Sequence, residues 1–135
     1  MNPSLILPIR LCNNQIFTDL TISANNKSIS AEFKIDTGCN TVLLNHRVLN
    51  RLGIDTSKET LEKLPIARAS IADGTTENYR HIGNIALYTG NKHICDVPVI
   101  CHTSKETRNL LGTTVLHLFN KYSFQVKENT VLELY

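Results

Sequence analysis

The stretch Ile35-Asp36-Thr37-Gly38-Cys39-Asn40-Thr41, IDTGCNT, decides how this chain is read. It follows an alternating run in which Ile29, Ala31, Phe33 and Ile35 are apolar while Ser30, Glu32 and Lys34 are polar. Period-two alternation of this kind specifies a half-buried strand. The chain therefore delivers an acid, Asp36, to the end of a strand rooted in the core. Gly38 permits a tight turn there and close approach of another segment, and Thr37 adds a hydroxyl able to fix that approach by hydrogen bonding.

Outward from this stretch the period-two signal continues. Leu20 and Ile22 alternate with Thr21 and Ser23, and Asn25-Asn26-Lys27 supplies turn chemistry, so residues 15–35 read as a hairpin. After the acid, residues 41–44 are an apolar run. Asn45 caps a short helix over 46–52, which Gly53 stops. Residues 57–64 add a helical turn before Pro65. Strands at 66–72 and 75–82 flank Asp73-Gly74, a hairpin-turn dipeptide. Two more, at 84–89 and 93–100, join at Gly90-Asn91. Leu110-Leu111-Gly112 leads into a helix over 113–120, and Tyr122, Phe124 and Val126 alternate before a last strand at 130–134. The expected fold is mainly β, with one or two short helices.

With 135 residues and no linker or long repeat, residues 1–135 are expected to form one domain. Apolar content of 41% against 19% charged fits a globular chain. A net charge of +2, with Lys and Arg scattered, gives no reason to invoke nucleic acid or an anionic membrane. The N-terminal MNPSLILPIRLCNN has no basic segment before its brief apolar run, so neither a signal peptide nor a membrane span is expected. Four cysteines (Cys12, Cys39, Cys95, Cys101) are too few for a disulfide scaffold. Reduced thiols in the cytoplasm are the expectation, and the Asn26-Lys27-Ser28 glycosylation acceptor lapses with it.

A lone exposed aspartate, with a pKa near ~3.9, is a weak catalyst at most working pH values. Two carboxylates sharing one proton are pushed apart in pKa, giving one acid and one base in a single site. Such a pair can take a proton from water while donating one to a peptide carbonyl. The chain has one Asp-Thr-Gly triplet. Ile54-Asp55-Thr56-Ser57 echoes it without the glycine, in a polar loop where an acid is ordinarily just solvated. The second carboxylate is then expected from another copy of the chain, because a twofold axis sets residue i beside its own equivalent.

These landmarks resemble the retropepsin-like aspartic proteases, single-domain homodimers of the pepsin-type fold. The resemblance spans roughly residues 15–134: the strand into Asp36-Thr37-Gly38, the run Thr41-Val42-Leu43-Leu44, the Asp73-Gly74 hairpin, and Leu110-Leu111-Gly112 with its short helix. It implies a closed, barrel-like β domain with a flap hairpin. Asp36 is then the catalytic acid, Thr37 bonds across the dimer axis, and Gly38 keeps the backbone close to substrate. Ala72, Asp73 and Gly74 form the flap tip. Leu43 and Leu110 line side-chain subsites, implying a taste for apolar residues around the cut. A polypeptide would bind extended between flap and floor, and no cofactor is implied. In such proteins the termini interleave into an interfacial sheet, a role open here to residues 130–135 with 4–11.

Three positions depart from the pattern. Cys39 replaces a small Ala or Ser, so oxidation of its thiol is expected to affect activity. Asn40 replaces a frequent acid, and Thr113-Thr114 replaces the Arg-acid dipeptide after the glycine, so both partners of an ion pair supporting the dimer are missing together. His93, Cys95, Cys101 and His102 raise a metal question, but H-x-C-x5-C-H is not a standard zinc spacing. Cys95 and Cys101 read instead as small apolar groups in strands, so no metal is expected. His117 reads as structural, and nothing sets a histidine beside Cys39 for a thiol nucleophile. The leading expectation is a homodimeric aspartic endopeptidase. The alternative is a catalytically silent member serving as a dimerisation or peptide-binding module.

Overall fold

The computed structural model describes residues 2–68, 78–104, 106–127 and 130–135. Ten strands and three short helices lie among them, in the order β1 (Leu5–Pro8), β2 (Arg10–Cys12), β3 (Gln15–Ala24), β4 (Lys27–Ile35), β5 (Val42–Leu43), α1 (His46–Arg51), α2 (Lys58–Glu62), β6 (Tyr79–Thr89), β7 (Lys92–His102), β8 (Leu110–Leu111), α3 (Thr113–Leu116), β9 (Tyr122–Gln125) and β10 (Val131–Leu134). The protein is mainly β, as the alternation predicts.

The long hairpin forms for the reason read from the sequence. Asn25 and Asn26 both take positive φ, 53° and 61°, the conformation a two-residue turn needs to match strand twist. β3 and β4 then pair antiparallel from Phe17↔Lys34 to Ala24↔Lys27. Asn13 and Asn14, at φ 49° and 61°, repeat the device between β2 and β3, a turn the sequence reading passed over.

Six strands close on themselves. β3 pairs β4, β4 pairs β8, β8 pairs β5, β5 pairs β7, β7 pairs β6, and β6 returns to β3 through Thr21↔Tyr88, Ile22↔Leu87 and Ser23↔Ala86. Closure leaves no open edge in the ring. The inward positions fill it: Leu20, Ile22, Phe33, Leu44, Leu49, Leu87, Leu111 and Leu116 are at most 1% exposed.

Two expectations need correction. The break placed between 82 and 84 is not a break, since β6 runs through it. Gly83, at φ +126°, takes up a register shift against β7, which is how a bulge bends a long strand. The helix expected over 113–120 has four residues. Gly112 offers no side-chain cap, Thr113, Thr114 and Val115 are β-branched, and the chain unwinds through i→i−3 bonds from Leu118 and Phe119. The two termini pair within the chain: β1 and β9 flank β10 on either side, in the order β1-β10-β9. The hairpin strand expected at 66–72 is described only to 68, where Ile66 makes a single bridge to Arg80.

The terminal sheet is welded to the ring by its inner face, where Leu5, Leu7, Leu132 and Leu134 are buried. Leu132→Ala is expected to lower stability by about 2–5 kcal/mol, read from the urea midpoint. Leu118→Ala, at a residue 60% exposed, should stay within about 0.5 kcal/mol of the parent.

Candidate active site

β4 carries Ile35 to the barrel end, and β5 begins at Val42. These strands are not neighbours. β8 lies between them, parallel to β4 (Lys34↔Leu110, Ile35↔Leu111) and antiparallel to β5 (Val42↔Leu111, Leu43↔Leu110). Residues 36–41 must therefore arch over β8. The Asp36 N–H donates to the Leu111 carbonyl at 3.0 Å, and the Cys39 N–H closes a turn on the Asp36 carbonyl at 3.1 Å. Asp36 Oδ1 accepts the Gly38 N–H at 2.9 Å. Oδ2 lies 3.9 Å from Lys34 Nζ, and the carboxylate side chain is 13% exposed. Thr37 and Gly38 form an exposed rim beside it. The arrangement presents one half-buried, well-braced carboxylate, with one oxygen directed to its own loop.

The arch is held from below by Gly112. A Cβ there would sit 2.2 Å from the Thr41 carbonyl and 2.4 Å from that of Cys39, both backbone atoms. Only glycine fits. Thr113 then fastens the loop, its N–H donating to the Cys39 carbonyl at 2.8 Å. Asn109 performs a similar service on the other side. Its Nδ2 donates to the Glu32 carbonyl, its Oδ1 accepts the Asn45 N–H at the start of α1, and its carbonyl accepts the Lys34 N–H.

A family model described as "gag-polyprotein putative aspartyl protease" matches residues 20–117, more than half of the chain and all of this site. The chain belongs to the retropepsin-like aspartic protease family. A retropepsin-like aspartic protease from Rickettsia conorii has a similar fold, with a TM-score of 0.65 at 20% identity, covering 96% of this chain and 88% of that one. No match was found among curated protein sequences.

In this retropepsin-like chain the two departures from the family's ion pair meet different surroundings. Thr113 bonds the Asp36 loop of its own chain, as described above, while Asn40 lies exposed. Leu43 and Leu110, expected to line subsites, sit together with Cys39, Ala67, Tyr79 and Ile100 in a second apolar cluster under the loop. They are 2% and 8% exposed, so the single chain covers nearly all of both. Ala72, Asp73 and Gly74 lie outside the described residues.

Cys39 is wholly buried, with its thiol toward the Thr41 carbonyl at 3.4 Å. Burial, reinforced by the Asp36 charge, pushes the thiol above its ordinary value against the opposing Thr41 bond. A thiol with no exposed surface and a raised pKa is poorly placed to meet an oxidant.

Asp55, the echo of the motif, is exposed. Its carboxylate is held below the usual range by the Ser57 N–H and the Thr60 and Ser57 hydroxyls at the start of α2. That is local turn chemistry. His93 and His102 stand at opposite ends of β7, about 30 Å apart by strand rise. His93 pairs with Asp96 on the surface, and His102 is buried with Tyr79 edge-on at 5.2 Å. His117 is exposed and stacks on Tyr122.

Three outcomes follow from the loop and the thiols. Gly112→Ala, forced to displace backbone, is expected to cost at least about 1–3 kcal/mol in the same urea titration. Burial pushes Cys95 and Cys101 up to about 11. The fold then keeps protons that the unfolded chain has released, so their contribution is intact below about pH 9 and is lost as pH rises towards 11. The urea midpoint should fall across that window, and less steeply in a Cys95→Ala/Cys101→Ala variant. At pH 8 a thiol-exchange reagent should modify Cys12 alone until denaturant exposes the other three.

Proposed function

We propose that the protein is an aspartic endopeptidase, active as a homodimer, that hydrolyses extended peptide segments through Asp36 of each subunit. The observation that carries this reading is the Asp36 loop itself: a single braced carboxylate per chain, beside an exposed Thr37-Gly38 rim. One such acid cannot be both proton donor and acceptor in the same step. Two, brought together by a twofold axis, can share a proton and hold a water between them. The ionised member takes a proton from that water, which attacks the peptide carbonyl. The protonated member donates to the carbonyl oxygen, giving a tetrahedral diol without a covalent enzyme intermediate.

Each remaining residue has a part in this reading. Thr37 would bond to the partner's loop, and Gly38 would let substrate backbone approach. Ala72, Asp73 and Gly74 would close over the bound peptide and exclude bulk water. Leu43 and Leu110 would meet apolar side chains from beneath. Free, buried Cys39, Cys95 and Cys101 suit a reducing compartment such as the cytoplasm. A second reading, a silent dimerisation or peptide-binding module, is favoured by one feature: neutral Asn40 and Thr113 where the family carries an ion pair across the dimer.

The decisive measurement is cleavage of a peptide mixture by the parent and by Asp36→Asn. Turnover should fall by at least about a hundredfold, while sedimentation shows the same dimer. Pepstatin should inhibit the parent. A parent that binds peptides yet cleaves none between acid and neutral pH would establish the module instead.

A further inference from the structure

β4 sorts its side chains by parity. Ala31, Phe33 and Ile35 face the core, whereas Glu32, Lys34 and then Asp36 share the opposite face. That face borders an open cleft of about 580 Å³, whose walls include Arg10, Phe17, Glu32, Lys34, Asn45 and Arg108. Its charges are not evenly matched. Arg10 binds Asp19 at 2.5 Å and Glu32 at 2.6 Å, so the one carboxylate lining the cleft is already held by a cation. Lys34 is 26% exposed and 3.9 Å from Asp36 Oδ2, beyond hydrogen-bond reach. Its ammonium therefore keeps its three donors. Arg108 has neutral neighbours: its Nη1 donates to Gln15 Oε1 at 2.5 Å, and its guanidinium lies 5.7 Å above the Phe17 ring.

We infer that this cleft receives an acidic side chain of the substrate, Glu or Asp, at a residue flanking the scissile bond. Resting on the proteolytic reading, it narrows the substrate class. Lys34 Nζ lies 3.9 Å from Asp36 Oδ2, so a carboxylate bound to this ammonium sits beside the acid. Phe17 offers an apolar wall for the side-chain methylenes, and Arg108 supplies a second cation with donors in a planar fork. An amide in the same place would satisfy fewer of these donors and leave Arg108 with neutral neighbours alone. The apolar taste implied by Leu43 and Leu110 is thereby joined, at one position, by a demand for negative charge.

The test uses C-terminally amidated peptides in which a hydroxyethylene group replaces the scissile amide. They carry a Glu or a Gln side chain on one or other carbon flanking that group. Calorimetry on the whole protein should give about tenfold tighter binding for Glu at one of the two positions. The preference should shrink with added salt, fall in Lys34→Met, and vanish in Lys34→Met/Arg108→Met. Equal binding of Glu and Gln peptides, or a preference indifferent to both substitutions, overturns the inference. Digestion of a proteome-derived peptide library separates the two readings. Cuts without enrichment of Glu or Asp beside them overturn the cleft assignment and leave proteolysis standing. A Glu preference in binding with no cuts in the library overturns proteolysis and leaves the cleft.

Discussion

Insertion of β8 between β4 and β5 is the constraint on which the rest of the site depends. Two strands consecutive in sequence are held one strand apart, so the residues joining them must cross over Leu110 and Leu111. A loop forced to arch in this way exposes its backbone groups at the barrel end, and each needs a partner. The Asp36 N–H finds the Leu111 carbonyl, and the Cys39 carbonyl finds the Thr113 N–H. Gly112 follows from the same geometry, because the turn from β8 into α3 passes directly under the arch with no room for a side chain. The acid is rigid because the strand beneath it is.

That rigidity sets the electrostatics. Asp36 gives one oxygen to the Gly38 N–H and leaves the other near Lys34. The oxygen committed to the loop orients the group, and the other makes no bond to the loop. Strand parity then puts Lys34 on the same face as Asp36, since positions two apart on a strand point the same way. A side chain that reads as the solvent half of an amphipathic strand becomes part of a cleft wall once β2 and the 107–109 segment stand beside it.

This explains what was legible in the sequence. The β3–β4 hairpin and α1 were readable because their determinants are local: asparagines suited to positive φ between alternating runs, and Asn45 accepting the Val48 N–H eight residues before Gly53 ends the helix. Asp36, Thr37 and Gly38 were readable as a motif. Asn109 was not, because its partners Asn45 and Glu32 lie 64 and 77 residues away and no local pattern announces them. The overlong α3 has the opposite cause. Leu116, Leu118 and Phe119 mimic a helical apolar stripe, but Leu118 is in fact solvent-exposed and the turn there is already loosening. β1 ends on Pro8, which an outer strand tolerates where the interior of a sheet does not.

The self-contained terminal sheet bears on how two subunits would meet. Exchange of strands at the termini would give a partner's backbone hydrogen bonds to β10, but β1 and β9 already occupy both its edges. Among the described residues, a twofold contact that brings two Asp36 loops together could draw on the exposed loop rims, the outer edges of β1 and β9, and outward side chains such as Ile6. Fewer obligatory hydrogen bonds, and neutral residues at Asn40 and Thr113, leave such an interface resting on shape and apolar contact. The single chain, meanwhile, has a closed barrel and its own buried terminal sheet. On the dimeric reading, a complete pair of acids exists only in proportion to the dimer present.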